Sequence, residues 1–93
     1  MTPQWWVYIV RCADGTLYTG IARDLARRIA EHNAGGRLAA SYTRGRRPVA
    51  LVYREAAATR SAASRREYAL KQLDRRQKED LIAAAKTPRR RER

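Results

Sequence analysis

Cysteine and histidine are nearly absent from this chain: Cys12 and His32 are the only ones in 93 residues. A single thiol excludes an internal disulfide and suits a reducing cytoplasm, the expected location. One Cys and one His also argue against a structural zinc site, whose four ligands are mostly Cys and His. Acid is scarce too, with 9 Asp and Glu against 21 Lys and Arg, for a net charge of +12. No apolar run approaches the roughly 20 residues of a spanning helix, and no secretory leader is expected ahead of the first strand, so no membrane partner is expected. So large a positive excess repels itself in a compact fold. A polyanionic partner is the simplest explanation, and nucleic acid is the polyanion favoured.

What the chain does contain is periodic. Hydrophobic residues make up 44% of it and fall in blocks, which excludes a disordered protein. The length predicts a single domain over 1–86, followed by a basic, disordered tail at 87–93 that adds unspecific phosphate attraction. Trp5 to Cys12 reads as a strand and Leu17 to Ala22 as its antiparallel partner across "ADGT". Asp24 caps a helix from about Leu25 to Asn33, stopped by Gly35-Gly36. Residues 35–48, "GGRLAASYTRGRRP", read as a glycine-rich basic loop, and Val49 to Tyr53 as a third strand. Thr59 or Ser61 opens a second helix to about Leu73. Asp74-x-x-Gln77 resembles a capping box for a third helix ending near Ala85. The order ββαβαα predicts an α+β fold, an α/β sandwich with a three-stranded antiparallel sheet flanked by helices.

Tyr8 and Tyr18 stand on either side of the Asp14-Gly15 turn, and loop length decides where they point. A two-residue turn would pair Cys12 with Leu17 and put the phenols on opposite faces. A three-residue loop, Ala13 to Gly15, pairs Cys12 with Thr16 and needs Gly15 in the left-handed region. Tyr8 then lies opposite Gly20 and diagonal to Tyr18 on the same face, roughly 7–8 Å away. The bare Gly20 would let a substrate approach the backbone between the two rings.

On the first helix Leu25, Arg28, Ile29 and His32 follow i, i+3, i+4, i+7 spacing, so Arg28 and His32 share or border the apolar stripe. Arg28 read alone is equally one of a solvated Arg27-Arg28 pair, and His32 a satisfied late-helix histidine. On the second helix Ala63, Glu67 and Leu70 share a stripe, which turns a carboxylate toward the sheet. Glu67 alone is also explained by a capping box with Ser64 or an ion pair with Lys71. Convergence is what favours a site: two Tyr, Arg, His and Glu meet over one sheet face in a basic protein.

These residues carry a resemblance. "VYIV" followed ten residues on by "YTG", then "RDLARRIAEH" and "RREYALK", is similar to the GIY-YIG nuclease superfamily, in particular its small stand-alone bacterial members. The likeness covers about residues 4 to 82. Val7 replaces the glycine of the first motif and Thr19 the isoleucine of the second, both at non-phenolic positions that bear on substrate preference rather than chemistry. The resemblance implies phosphodiester hydrolysis with one divalent metal, magnesium first and manganese as the alternative. Glu67 would be its only protein ligand, beside waters and a phosphate oxygen. Tyr8 would orient or deprotonate the attacking water, given nearby positive charge to lower its pKa. Arg28 would stabilise charge on the phosphoryl oxygens. Tyr18 and His32 would position phosphate or share the proton traffic, and Lys71 would touch phosphate or pair with Glu67. In the basic loop Arg37, Arg44, Arg46 and Arg47 would grip the nucleic-acid backbone, with Tyr42 available for stacking. The expected activity is thus a nuclease, endo- or exonucleolytic, acting on DNA sooner than RNA, in DNA repair or processing, as a monomer or weak dimer. The alternatives are a basic binding module on the same scaffold without turnover and, more remotely, an RNA- or ribosome-associated basic protein.

Overall fold

The computed structural model describes residues 4–86, and the basic run expected as a tail lies outside the described residues. Strands β1 (Trp5–Arg11), β2 (Leu17–Ala22) and β3 (Ala50–Ala57) form one antiparallel sheet in the order β2-β1-β3. Helices α1 (Leu25–Ala34), α3 (Arg60–Lys71) and α4 (Arg75–Lys86) complete the expected α+β architecture in the order ββαβαα. A one-turn α2 (Ser41–Arg44) is added inside the basic loop.

Strand β1 is the central strand, and its place explains its composition. Val7, Tyr8, Ile9 and Val10 are each no more than 1% exposed, because a layer of helix covers either face. On one face Tyr8, Val10, Cys12 and Ala22 pack with Leu25 of α1 and Val49, joined by Trp6, Tyr18 and Ile29. On the other, Val7 packs with Ala63 and Leu70 of α3, joined by Ile21, Tyr53, Leu73 and Leu81. Thr19 lies opposite Ile9, buried, and its hydroxyl finds no partner among the described residues.

The hairpin takes the three-residue loop. The Cys12 N–H donates to the Thr16 carbonyl at 2.8 Å, and the Gly15 N–H donates to the Cys12 carbonyl at 2.9 Å. Gly15 has φ 86°. Asp14 braces the turn by accepting from the Thr16 N–H and hydroxyl, at 3.1 and 2.6 Å. Tyr8 therefore faces Gly20 and Val10 faces Tyr18, with both phenols on the α1 face.

The caps follow the sequence. The Asp24 carboxylate accepts from the Arg27 N–H, and Gly35 ends α1 at φ 73°. Thr59, not Ser61, caps α3. The capping box before α4 is reciprocal: Gln77 N–H to Asp74 at 2.8 Å, Asp74 N–H to Gln77 at 2.9 Å. Strand β3 outruns the expected Val49–Tyr53 and continues to Ala57, because Ala56 and Ala57 complete the ladder opposite Trp6 and Trp5. Helix α4 is pinned to the sheet by Arg11, whose two terminal nitrogens each reach a Glu79 oxygen at 2.8 Å. That fork, with Arg75 beside it, pulls the Glu79 carboxyl down to about 2.

Candidate active site

Three buried side chains form a hydrogen-bonded row between sheet, α1 and the basic loop. The Tyr8 hydroxyl lies 2.8 Å from His32 Nε2, and His32 Nδ1 lies 2.7 Å from Thr43 Oγ1. Tyr8, His32 and Thr43 are all 1% exposed or less. The Thr43 hydroxyl itself donates to the Ala40 carbonyl at 3.2 Å, and this assigns the protons. Oγ1 accepts from His32 Nδ1–H, so Nε2 is bare and accepts from the Tyr8 O–H. Burial, helped by the nearby Arg28 charge, lowers the His32 pKa below its ordinary 6.5 and keeps the imidazole neutral.

Tyr8 departs from the expected phenol. Its pKa is not lowered; burial pushes it up to about 12, outweighing the Arg28 guanidinium that acts the other way. Tyr8 therefore holds its proton at neutrality. Gly20 departs as well. A Cβ there would meet the Tyr8 hydroxyl at 2.6 Å and its ring carbon at 2.7 Å, so the space over Gly20 is filled by the tyrosine and is no opening for substrate.

Around this row the remaining site residues gather. Tyr18 meets the His32 ring edge-on at 5.5 Å and 69°, and stacks on Tyr42 at 5.6 Å and 26°. The Arg46 guanidinium lies 4.1 Å over the Tyr42 ring, so Tyr42 is already engaged rather than an open stacking platform. Arg28 is half-buried, and its Nη1 reaches Glu31 at 2.9 Å and the Leu38 carbonyl at 2.6 Å. Glu67 pairs with Lys71 at 3.2 Å and keeps 24% of its side chain exposed. Ala63 and Leu70, which share its stripe, pack on the sheet face opposite Tyr8. Its charge nevertheless reaches Tyr8 and contributes to the raised pKa.

The loop arginines brace the loop they sit on. Arg44 donates to the Ala39 carbonyl at 2.8 Å, and Arg46 to Asp14 at 3.1 Å and the Tyr42 carbonyl at 2.7 Å. Arg47 closes the end of α1 through the Ala34 carbonyl, 3.2 Å, and packs over Gly35. Arg37 is exposed. Each guanidinium has five donors, so N–H groups remain for phosphate. Two residues of α4 that sequence reasoning passed over join this surface. Arg75 and Lys78 line a pocket of about 230 Å3 with Thr16, Leu17 and Tyr42. Thr43 was likewise passed over; no spacing marks it, since only the folded loop brings it to His32.

The donor set can be tested against a divalent cation. Among the described residues no three His, Cys, Asp or Glu side chains come together. Magnesium does not need them: it keeps most of its waters and takes one or two carboxylates plus phosphate oxygens. Glu67, partly exposed and paired with Lys71, fits such a site.

Residues 4–80 match the GIY-YIG catalytic domain. The chain belongs to the GIY-YIG family. GIY-YIG domains form a nuclease superfamily whose members in general use a divalent metal. A UPF0213 protein of Desulfotalea psychrophila is 60% identical over 83 residues, 89% of this chain and 74% of that protein. One of Halobacterium salinarum is 56% identical over 76 residues, 82% of this chain and 96% of that protein. Among solved structures, a solution NMR structure of a UPF0213 protein from Bacillus halodurans matches with TM-score 0.55 and 45% identity, over 86% of this chain and 83% of that one. The solution NMR structure of a protein from E. faecalis matches with TM-score 0.60 and 32% identity, over 100% and 96%. No described helix is long and apolar enough to cross a membrane.

Proposed function

We propose that this GIY-YIG protein is a divalent-metal-dependent nuclease that hydrolyses phosphodiester bonds of nucleic acid, DNA sooner than RNA, in repair or processing in the cytoplasm. The observation that carries this reading is the buried row Tyr8–His32–Thr43, with a bare imidazole nitrogen 2.8 Å from a phenol. A core histidine needs hydrogen-bond partners. It does not need its proton-accepting nitrogen aimed at a tyrosine that borders an arginine and a carboxylate.

In this reading Tyr8 is a relay rather than a standing base. Its proton passes to His32 Nε2 as its oxygen takes a proton from the attacking water. The water oxygen then bonds to phosphorus while the bond to the leaving oxygen breaks, that oxygen takes a proton from solvent, and His32 returns its proton to Tyr8 as Tyr8 releases one to solvent. Thr43 holds the imidazole in the tautomer that can accept. Arg28 stabilises the charge on the phosphoryl oxygens with donors it shares with Glu31 and the Leu38 carbonyl. Tyr18 fixes the imidazole plane by its edge contact and offers its hydroxyl to phosphate. Glu67 would hold magnesium or manganese, which supplies positive charge to the phosphoryl oxygens. Arg37, Arg44, Arg46, Arg47, Tyr42 and Lys71 would line the path of the strand, extended by Arg75 and Lys78.

A second reading, a binding module without turnover, is favoured by Arg28: its Nη1 is already occupied by Glu31. Glu67→Gln separates the two. It removes the charge that holds a cation while keeping shape, so it should bind oligonucleotide as the parent does, bind Mn2+ more weakly by calorimetry, and lose cleavage. A parent that binds but never cuts in magnesium or manganese establishes the second reading. A Glu67→Gln variant that cuts at the parent's rate removes Glu67 from the site.

A further inference from the structure

The two tryptophans of the chain, Trp5 and Trp6, open β1 at the end of the sheet away from the hairpin, and three arginines lie against them. Arg23 and Arg60 lie 5.8 and 5.6 Å from the Trp5 ring centre, and Arg54 lies 5.0 Å from that of Trp6. These arginines come from three different places: the bend just after β2, the start of α3, and β3 opposite Tyr8. Among the described residues no carboxylate lies within ion-pair distance of any of them, whereas Arg11, Arg27, Arg28, Arg46, Arg66, Arg75 and Arg76 are all paired. The acids adjacent in sequence are engaged elsewhere: Asp24 caps α1, and Glu55 pairs with Arg66 at 2.7 Å. Arg60 is also the first residue of α3, whose cap Thr59 is neutral and whose first turn holds no acid, so the positive end of that helix adds to the same surface. Guanidiniums within cation–π reach of an indole gain from its ring face and keep N–H groups for a ligand. Free of carboxylates among the described residues and set against the two tryptophans, they suit phosphate.

We propose that this tryptophan–arginine end is a second nucleic-acid contact, which holds the phosphate backbone on the far side of the tyrosine site from the basic loop. The proposal rests on the nucleic-acid reading above and extends its footprint. From Trp5 to Arg11 the strand rises six steps of about 3.4 Å, roughly 20 Å, which spans about six nucleotides of one strand. Trp6 and Arg54 lie on the Tyr8 face, and Arg23 and Arg60 continue from them around the end of the sheet. A backbone laid across both patches passes the phenols between them.

The test needs no turnover and uses the full chain in EDTA. Because both tryptophans sit in this patch, their emission reports on it alone. Titrating an oligonucleotide of about 30 nucleotides, single-stranded and duplex, should shift the tryptophan emission in step with binding measured by anisotropy. Arg23→Gln/Arg60→Gln should lower the duplex salt slope by about 1.8, at roughly 0.9 for each phosphate that is no longer neutralised. Between 50 and 200 mM salt the parent's affinity should then fall roughly tenfold more than the variant's. Arg23→Lys/Arg60→Lys should keep most of the slope, which a purely structural role on Trp5 would not. Saturating binding with unchanged tryptophan emission, or an unchanged slope in the glutamine pair, overturns the proposal and leaves the nuclease reading standing. Binding with the emission shift but no cleavage in magnesium upholds the proposal and overturns the nuclease. A parent that binds neither oligonucleotide overturns both.

Discussion

A methyl group added at Gly20 would sit 2.6 Å from the Tyr8 hydroxyl and 3.1 Å from its Cε2. Tyr8 cannot step aside, since it is buried and tied to His32. Gly20→Ala should therefore destabilise the fold by about 1–3 kcal/mol in denaturant unfolding. It should also abolish cleavage by moving the phenol, although residue 20 itself carries no reacting group. Wild-type cleavage in a folded Gly20→Ala protein would remove Tyr8 from the mechanism. The Tyr8–His32 pair also sets a pH dependence. The His32 pKa lies below 6.5, so the neutral, proton-accepting imidazole persists at and above that pH. As pH falls through the lowered value the ring gains a proton, Nε2 stops accepting from Tyr8, and activity is lost. Stability moves the same way, because below 6.5 the unfolded chain binds more protons than the folded one. A kcat/KM profile should show an acid limb centred below 6.5; a limb centred above it would assign that proton to another group.

At the scale of elements, much is legible in the sequence because local chemistry agrees with the fold. Loop length and the glycine at 15 set the hairpin register, and that register puts both phenols on one face. Asp24, Thr59 and the Asp74–Gln77 box mark helix starts that the structure keeps. What the sequence hides has non-local causes. The four residues of α2 are too short to show a period, its cap Ala40 has no side-chain bond, and only the folded loop brings its Thr43 to His32 and its Tyr42 to Tyr18. The stripe of α3 is apolar as its spacing indicates, yet it packs on the sheet face away from Tyr8, and periodicity does not choose between faces. Several basic residues of the loop serve as caps and braces, which no one-dimensional pattern reveals. The attachment of α4 is invisible for the same reason: Arg11 and Glu79 are 68 positions apart. That fork makes a prediction. The folded Glu79 pKa is depressed from 4.5 to about 2, so its contribution is fully present above about 4.5 and fades as pH falls toward 2. Glu79→Gln should lower the thermal midpoint at neutral pH, and the gap to the parent should close steadily across that window. A gap that stays constant from neutrality to about pH 2 would mean the loss is one of packing rather than charge.

At the scale of the whole molecule, +12 on 93 residues acts on stability and on binding with opposite sign. Like charges spread over so small a surface repel, and the repulsion is relieved when the chain expands, so the compact state is weakened at low ionic strength. Salt screens that repulsion over a Debye length of about 10 Å at 0.1 M. The same salt weakens attraction to a polyanion, because less free energy is gained by counterion release. Raising sodium chloride from about 10 to 200 mM should therefore raise the thermal midpoint of the free protein and weaken its affinity for oligonucleotide. A bound polyanion should replace salt as the stabiliser. At low salt, an oligonucleotide at about 100 times its Kd should add about 2.7 kcal/mol to unfolding, and the increment should shrink at each higher salt step as Kd rises. Scanning calorimetry in EDTA, with and without oligonucleotide, measures both trends in one series. A free-protein midpoint that falls with salt would mean the surface ion pairs outweigh the net repulsion. An oligonucleotide increment that ignores salt would mean binding does not run through the arginines, and the case for a phosphate-gripping surface would fall with it.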